Sequence, residues 1–291
     1  MAEHDELTRL RAYWSYNEQR LAQGFIIEMD YPYRPRVRQW DDLAAGSPIR
    51  SIISARDAAY SDVLRGFLTY RDRLLAISAD EPPDSEQPYW SNDWLPPLDG
   101  ISIYGLLTKL NPRFYVEVGS GNSTKFARRA IRDNNLRTKI ISVDPFPRAE
   151  IDGICDRVIR SGLQDTDLSL FSDLGAGDIV FIDNSHRSFQ NSDVTVFFTE
   201  ILPALSSGCY YGIHDIFLPL DYPEEWLGRF YNEQYLLQMY LLGGASGDEI
   251  ILPMAHIRQQ AGLLTILDPI TKGASIRNAM AVGGAFWMRR R

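Results

Sequence analysis

The sequence predicts an α/β protein with a mostly parallel sheet and helices on both faces of that sheet. Three observations support this fold class. Strand-like and helix-like segments alternate through the last two thirds of the chain, several predicted strands end in acidic residues, and a glycine cluster follows the first strand. Alternation of this kind is typical of parallel sheets whose connections are helices.

The predicted strands are short apolar runs rich in β-branched and aromatic residues. They are Arg113–Gly119, Lys139–Asp144, Asp156–Arg160, Asp178–Asp183, Cys209–Asp215, Ile250–His256 and Ala285–Arg289. The clearest helices predicted between them are Ser123–Asn134, Arg187–Leu205 and Pro223–Leu242.

A proline-rich stretch, Asp80–Gly100, separates this alternating region from an N-terminal part of different character. In that part, Glu6–Ala22 and Arg56–Ile77 are predicted to be amphipathic helices. We therefore expect a mainly helical extension or cap over residues 1–93 and an α/β domain over residues 94–291.

Composition excludes several classes of protein. A net charge of −8 argues against a general phosphate-binding surface, so we expect no nucleic-acid partner. The apolar runs are only as long as strands, which argues against a membrane-spanning helix, and the charged N-terminus lacks an apolar signal core. Two cysteines make neither a disulfide framework nor a zinc site. We expect a cytoplasmic protein without a membrane partner.

Several predicted strands end in an acidic residue. Glu117 lies near the end of the first strand, Asp144 ends the second, Asp183 ends the fourth, and His214 and Asp215 end the fifth. Because the carboxyl ends of parallel strands meet at one edge of a sheet, we expect these side chains to converge there. Ligands of such sheets bind at that edge.

The glycine cluster after the first strand is compatible with two kinds of cofactor. Gly119 and Gly121 let the backbone approach a ligand, and the following helix offers free N–H groups. Dinucleotide-binding loops have a third glycine where this chain has Thr124, and Glu117 would repel a phosphate. An acid at this point suits S-adenosylmethionine, which carries an amine and a sulfonium, while Asp144 could accept hydrogen bonds from both ribose hydroxyls.

Four segments in chain order, VEVGSGNST, ISVDP, GDIVFIDNSH and YGIHDIF, resemble successive motifs of class I S-adenosylmethionine-dependent methyltransferases. The similar branch is that of small-molecule O-methyltransferase-like proteins (Methyltransferase-24-like). The resemblance runs from about Trp94 to the final GGAFWMRR, so it makes residues 94–291 the methyltransferase domain. It implies a Rossmann-like, seven-stranded sheet whose last strand is antiparallel.

The resemblance also implies a set of residues that bind the cofactor. These are Glu117, Gly119, Ser120, Gly121, Ser123, Asp144, Gln164, Asp165 and Asp183. The glycine-loop residues would contact the methionine part, Asp144 the ribose, and Gln164 or Asp165 the exocyclic amine of adenine. Two structural alternatives remain open: Glu117 and Ser123 as strand-end and helix-capping residues, and Gln164–Asp165 as a plain turn.

Methyl transfer to a hydroxyl group requires a general base or a metal ion that lowers the pKa of that hydroxyl. The catalytic candidates are Asp183, His186 and His214. In one hypothesis, His186 or His214 is the base. In another, Asp183, His214 and Asp215 bind Mg²⁺ or another divalent cation. Metal-dependent members of the superfamily have an acidic or amide pair after the fifth strand, from which His214 departs. A purely structural role for His214 and Asp215 is the third alternative.

The segment after the fifth strand is rich in aromatic residues. They are Tyr222, Trp226, Phe230, Tyr231, Tyr235 and Tyr240. Several are spaced four residues apart, so the predicted helix has an aromatic face. That face either packs in the core or lines and covers an acceptor pocket.

The leading hypothesis is an S-adenosylmethionine-dependent methyltransferase acting on a small molecule at oxygen. One alternative is an NAD(P)-dependent oxidoreductase on a similar sheet. The other is a non-catalytic module that keeps the fold and the cofactor. The acceptor and the oligomeric state are left open, with a homodimer as one option.

Overall fold

The computed structural model describes residues 2–40, 46–82, 86–147, 149–276 and 282–291. The chain forms two compact units, Met1–Arg36 and Val37–Arg291. The division at residues 93 and 94 expected from the sequence stays a prediction. Within the described ranges, no helix is both long enough and apolar enough to cross a membrane.

The first unit contains helix α1, Ala2–Ala22, followed by an irregular segment. The helix includes the predicted range Glu6–Ala22. Several large apolar side chains of this unit are exposed, among them Trp14, Phe25 and Tyr31.

The second unit is built around a seven-stranded sheet. Its strands are β1 (Phe114–Val118), β2 (Lys139–Val143), β3 (Arg157–Ile159), β4 (Ile179–Ile182), β5 (Tyr210–Ile213), β6 (Glu249–Pro253) and β7 (Phe286–Arg289). Their order is β3-β2-β1-β4-β5-β7-β6. Strands β1 to β5 pair in parallel, and β7 pairs antiparallel with both β5 and β6. The predicted seven-stranded sheet with an antiparallel last strand is confirmed.

The central strands are buried on both sides, as parallel sheets covered by helices are. All four residues of β4 are buried, and so are the last four residues of β1. Valine, isoleucine and phenylalanine dominate these strands because such side chains pack well on a pleated surface. Burial of both faces leaves the strand ends as the places where polar groups can meet a ligand.

Helices surround this sheet. They are α2 (Pro48–Ser54), α3 (Asp57–Phe67), α4 (Arg71–Leu75), α5 (Pro97–Leu110), α6 (Asn122–Asn134), α7 (Ser169–Ser172), α8 (Asp193–Val196), α9 (Leu202–Ala204), α10 (Glu233–Leu242), α11 (Met254–Gln259), α12 (Ala261–Leu264) and α13 (Asp268–Thr271). A π-helical turn, Phe197–Ile201, joins α8 to α9. The 3₁₀ turns are Leu68–Tyr70, Asp152–Ile154, Leu163–Asp165, Glu224–Arg229, Ala245–Gly247 and Thr265–Leu267.

Two predicted helices differ from the structure in ways that affect the strand ends. The helix predicted from Arg187 begins only at Asp193, because the Ser192 side chain caps it by accepting from the Thr195 N–H. The helix predicted over Pro223–Leu242 is broken at Phe230, whose backbone is left-handed (φ 54°). The predicted continuous aromatic helix face is therefore wrong.

Two further predictions missed element boundaries. The strand predicted over Ile250–His256 ends at Pro253, and α11 begins at the next residue, Met254. Helix α5 was not predicted, because its prolines suggested a linker. Eleven of its 14 residues are buried, so it has no polar face to give a helical period.

Candidate functional site

The turn between β1 and α6, which we call the glycine corner (Gly119–Ser123), packs directly against the end of β4. Gly119 has a left-handed backbone (φ 79°), and a β-carbon there would overlap the carbonyl oxygen of Asp183. Only glycine permits this conformation and this approach at low cost. At Gly121, by contrast, a β-carbon would meet no atom within 4 Å. The corner is thus fixed on one side and open on the other.

Glu117 is fully buried, and both oxygens of its carboxyl group accept hydrogen bonds from nearby side chains. Its Oε1 accepts from the Tyr115 hydroxyl at 2.8 Å, and its Oε2 accepts from the Thr124 hydroxyl. Thr124 Oγ1 in turn accepts from the Gly121 N–H at 3.0 Å. Burial raises the pKa of Glu117 to about 7, despite the hydrogen bonds from Thr124, Ser123 and Tyr115 that lower it. Thr124 therefore links the corner to Glu117.

Asp144 lies beside the glycine corner, as the sequence predicts. Its Oδ2 accepts from the Ser120 N–H at 2.7 Å, and its Oδ1 accepts from the Phe146 N–H at 2.7 Å. The Ser120 hydroxyl is 2.8 Å from that of Ser142 on β2. Each carboxylate oxygen keeps a further lone pair for a ligand hydroxyl. Phe146 is 87% exposed next to it.

Gln164 and Asp165 form the 3₁₀ turn Leu163–Asp165 after β3, with Leu163 buried beneath them. Both polar side chains are exposed, and the Gln164 amide donates to Asp165 Oδ2 at 3.1 Å. These contacts suit a turn and leave both side chains accessible to an adenine ring.

The residues that follow β4 and β5 meet in one group, which we call the strand-end cluster: Asp183, His186, His214 and Asp215. Within it, both nitrogens of His214 face carboxylates. Its Nδ1 is 3.2 Å from Asp183 Oδ1, and its Nε2 is 3.1 Å from Oδ2 of Asp99 on α5. Asp99 is fully buried and also accepts from the N–H groups of Gly284 and Ala285. His214 therefore has no free nitrogen for a substrate proton.

His186 is placed in the cluster by a left-handed backbone (φ 58°). Its Nδ1 is 2.9 Å from Oε2 of Glu233, a fully buried residue at the start of α10. Its Nε2 is 3.3 Å from Asp183 Oδ1 and 3.3 Å from Asp215 Oδ2. Of its two ring nitrogens, Nε2 is the one that faces Asp183 and Asp215.

The acidic and basic groups of the cluster shift one another's pKa values toward the charged forms. Burial alone would lower the pKa of both histidines, but the surrounding carboxylates outweigh it and hold the pKa of His186 and His214 well above the ordinary value. Burial alone would raise the pKa of Asp183, yet His214 and His186 hold it well below its usual range. Burial raises the pKa of Glu233. The carboxylates on either side of each imidazole therefore favour its protonated form.

Three residues of the cluster could bind a metal ion together. One ligand atom each from Asp183, His186 and Asp215 lie within 4.8 Å of one another. The predicted set contained His214 where this group contains His186. The position of Glu233 beside Nδ1 of His186, the nitrogen that faces away from Asp183 and Asp215, is typical of a carboxylate that orients a histidine ligand.

A cavity of about 440 Å³ opens over the strand-end cluster. The cluster lines one side of it, and residues from the 90–97 segment and the 226–231 segment line the others. Asn92 lies in this lining and accepts from the side chain of Asn122, the first residue of α6, at 3.1 Å. The cavity therefore borders the glycine corner.

The aromatic segment after β5 divides between the cavity and the interior. Trp226 and Tyr231 line the cavity, and the Tyr231 ring lies 4.7 Å from the His186 ring. Tyr222 is buried, and the Tyr235 hydroxyl donates to Asp221 at 2.6 Å. The left-handed turn at Phe230 separates the two groups.

Sequence reasoning missed Asp99 and Glu233, which contact the two histidines of the cluster. Asp99 follows two prolines and resembles an ordinary acid in the first turn of a helix. Glu233 lies in an aromatic stretch with no motif around it. No local signal marks either residue, because each meets its histidine only through the tertiary fold.

Comparison with known families gives a match to the model of a family described as Methyltransferase domain, over residues 116–216. This range contains the glycine corner, Asp144 and the strand-end cluster. The match confirms the resemblance to methyltransferases inferred from the motifs. Comparison with curated proteins gives no match.

Among solved structures, the chain is similar to cofactor-bound Rv0187 from MTB (15% identity, 86% of this chain and 93% of that one, TM-score 0.42). It is also similar to the methyltransferase PaMTH1 of Podospora anserina bound to SAH (13% identity, 91% of this chain and 100% of that one, TM-score 0.43). A third similar structure is an O-methyltransferase from Bacillus cereus in complex with SAH (16% identity, 81% of this chain and 98% of that one, TM-score 0.39).

Proposed function

We propose that the protein is an S-adenosylmethionine-dependent methyltransferase acting on a hydroxyl group of a small molecule, because residues 116–216 match the model of a family described as Methyltransferase domain. The main support is the contact between Gly119 and the backbone of Asp183. It joins the loop suited to the cofactor to the carboxylates suited to the acceptor.

The residues around the glycine corner fit this cofactor. Open space beside Gly121 admits a ligand to the corner, and the start of α6 offers free N–H groups to its carboxylate. Asp144 would accept from the ribose hydroxyls, and the exposed Phe146 ring would pack against the adenine. When bound, the cofactor supplies a methyl group to the acceptor oxygen as its carbon–sulfur bond breaks.

Glu117 would act on the cofactor indirectly. Its carboxyl group holds Thr124, and Thr124 holds the Gly121 N–H, so Glu117 fixes the shape of the corner. A preformed loop lowers the entropy lost on binding.

The acceptor proton needs a destination that the histidines do not offer. The surrounding carboxylates hold the pKa of both histidines well above the ordinary value, and the histidines hold the pKa of Asp183 well below its usual range, so the geometry favours none of the three as a base. A hydroxyl whose own pKa is lowered could give its proton to such a carboxylate or to water. This favours a metal-assisted reaction over one with a histidine base.

The donor set suits a divalent cation. Asp183, His186 and Asp215 would bind it, with Glu233 orienting His186. Such a cation lowers the pKa of a bound hydroxyl. Because Nε2 of His186 must lose its proton to bind a metal, affinity should rise with pH.

Titration calorimetry with S-adenosylhomocysteine tests the proposed function. We expect micromolar binding, no binding of NADH, and affinity at least about tenfold weaker in Asp144→Ala, which removes the carboxylate proposed to accept from the ribose hydroxyls. Asp167→Ala, an exposed carboxylate after β3, is the matched control and should bind normally. Absence of S-adenosylhomocysteine binding by the unaltered protein would refute the proposal.

A further inference from the structure

Arg229 is the lone arginine in the lining of the cavity, and it has no carboxylate partner among the residues that the structure describes. The nearby Arg187 is used differently. It donates to the carbonyl oxygens of Arg229 at 2.9 Å and Ser185 at 3.2 Å, so it braces the backbone. The guanidinium group of Arg229 is left available to a ligand.

Aromatic rings hold this guanidinium group in place. Its central carbon lies 3.8 Å from the centre of the Trp226 ring and 5.6 Å from that of Tyr231. Stacking occupies the face of a guanidinium group and leaves the N–H groups in its plane free. A planar fork of donors is the arrangement that binds a carboxylate through two hydrogen bonds.

The remaining walls of the cavity suit a flat ligand. Trp90, Trp94, Trp226 and Tyr231 all line it, and its volume is that of a small-molecule site. Trp90 is 1% exposed, and its indole N–H has no hydrogen-bond partner in the described part of the chain. A ligand oxygen in the cavity would satisfy this buried donor.

The charges in the lining separate into two sides. The strand ends contribute carboxylates and histidines, the 90–97 segment contributes Asp93, and Arg229 lies on the 3₁₀ turn that follows β5. Each histidine lies against carboxylates of the cluster, whereas no such partner holds the guanidinium group of Arg229, so Arg229 is the group of the described lining that attracts an anion. A ligand with a hydroxyl at one end and an acid at the other matches this distribution.

We propose, on the basis of the proposed function, that the acceptor is a hydroxylated aromatic carboxylic acid whose carboxylate is bound by Arg229. Its ring would lie between the tryptophans, and its hydroxyl would lie at Asp183 and Asp215. Arg229 then determines specificity for the acid and takes no part in the transfer itself.

The test compares two catechols that differ in one group: protocatechuate, which carries a ring carboxylate, and its uncharged benzyl alcohol counterpart. Binding is followed by tryptophan fluorescence, with and without S-adenosylhomocysteine. We expect the unaltered protein to bind the acid about tenfold more tightly, as a charged hydrogen-bonded pair implies. Arg229→Gln should abolish this preference, and Arg229→Lys should retain only part of it.

Arg65→Gln is the control, because Arg65 is an exposed arginine of α3 whose loss changes the net charge equally. It should keep the full preference. Equal binding of both catechols, binding of neither, or a preference that survives Arg229→Gln would each overturn the inference. Binding of S-adenosylhomocysteine, measured on the same samples, separates the two proposals: its loss refutes the methyltransferase function, whereas its presence without the preference refutes only the acid acceptor.

Discussion

The glycine corner and the strand-end cluster lie in contact but are assembled in opposite ways. In the corner, Glu117 is bonded to residues two and seven positions away. In the cluster, His186 meets Glu233 across 47 positions, and His214 meets Asp99 across 115. A short motif therefore specifies the first region, whereas the topology of the whole sheet specifies the second.

The two regions also treat a buried acid differently. Burial raises the pKa of Glu117 to about 7, because hydroxyl donors compensate only part of the cost of a buried charge. Asp183 is held ionised, with its pKa well below the usual range, because two imidazolium groups outweigh its burial. Hydroxyl donors hold Glu117 beside the glycine corner. In the cluster, the histidines keep Asp183 ionised, which is the form that binds a cation.

The largest effect should come from breaking the contact between the two regions. Gly119→Ala places a methyl group against the Asp183 carbonyl on a left-handed backbone, and should lower the free energy of unfolding by at least about 3 kcal/mol. Urea denaturation measures this. Gly121→Ala, which meets open space, should cost less than about 1 kcal/mol. Similar losses in both variants would show that the corner does not pack as described.

A smaller effect is expected on the pH dependence of stability, to which Glu117 beside the glycine corner contributes. The pKa of folded Glu117, about 7, exceeds its ordinary 4.5, so the folded chain binds more protons than the unfolded chain between these values. Stability contributed by this group is therefore full below pH 4.5 and is lost as the pH rises through 7.

Glu117→Gln removes this titration. Relative to the unaltered protein, the variant should gain up to about 3 kcal/mol of stability between acidic and mildly alkaline pH. Denaturation at both pH values checks this, with Glu225→Gln, an exposed acid, as the control. A difference that does not change with pH would contradict the assignment.

The smallest of the three effects sharpens the role of the cluster. Glu233→Gln removes the buried charge behind His186 and should weaken Mn²⁺ binding by about 10- to 100-fold. Electron paramagnetic resonance of free Mn²⁺ gives the affinity directly. Glu200→Gln, an exposed acid at the π-helical turn, should have no effect. Unchanged affinity in Glu233→Gln would exclude His186 as a ligand oriented by this residue.

The same contrast explains what could be predicted from the sequence. The seven strands and the position of Asp144 beside the corner follow from local patterns, since strand period and glycine spacing are encoded over a few residues. The residues that contact the two histidines of the strand-end cluster are not encoded in this local way. Both histidines were identified as candidates, but neither Asp99 nor Glu233 could be assigned to them, because those contacts depend on where α5 and α10 pack.

The break in the aromatic helix illustrates a second limit. Spacing of four residues between Trp226 and Phe230 predicted one continuous face, yet Phe230 adopts a left-handed conformation that local propensity disfavours. The tertiary fold imposes this turn and so places Arg229 and Tyr231 in the cavity lining.

The close fit of Gly119 against the end of β4 has a practical consequence for engineering. Remodelling Asp183 or its neighbours to admit a new substrate would also displace the glycine corner, so gains in selectivity there would be offset by weaker binding of the proposed cofactor. Libraries aimed at altered substrate range should instead vary Trp226 and Arg229, which line the cavity and lie outside that contact.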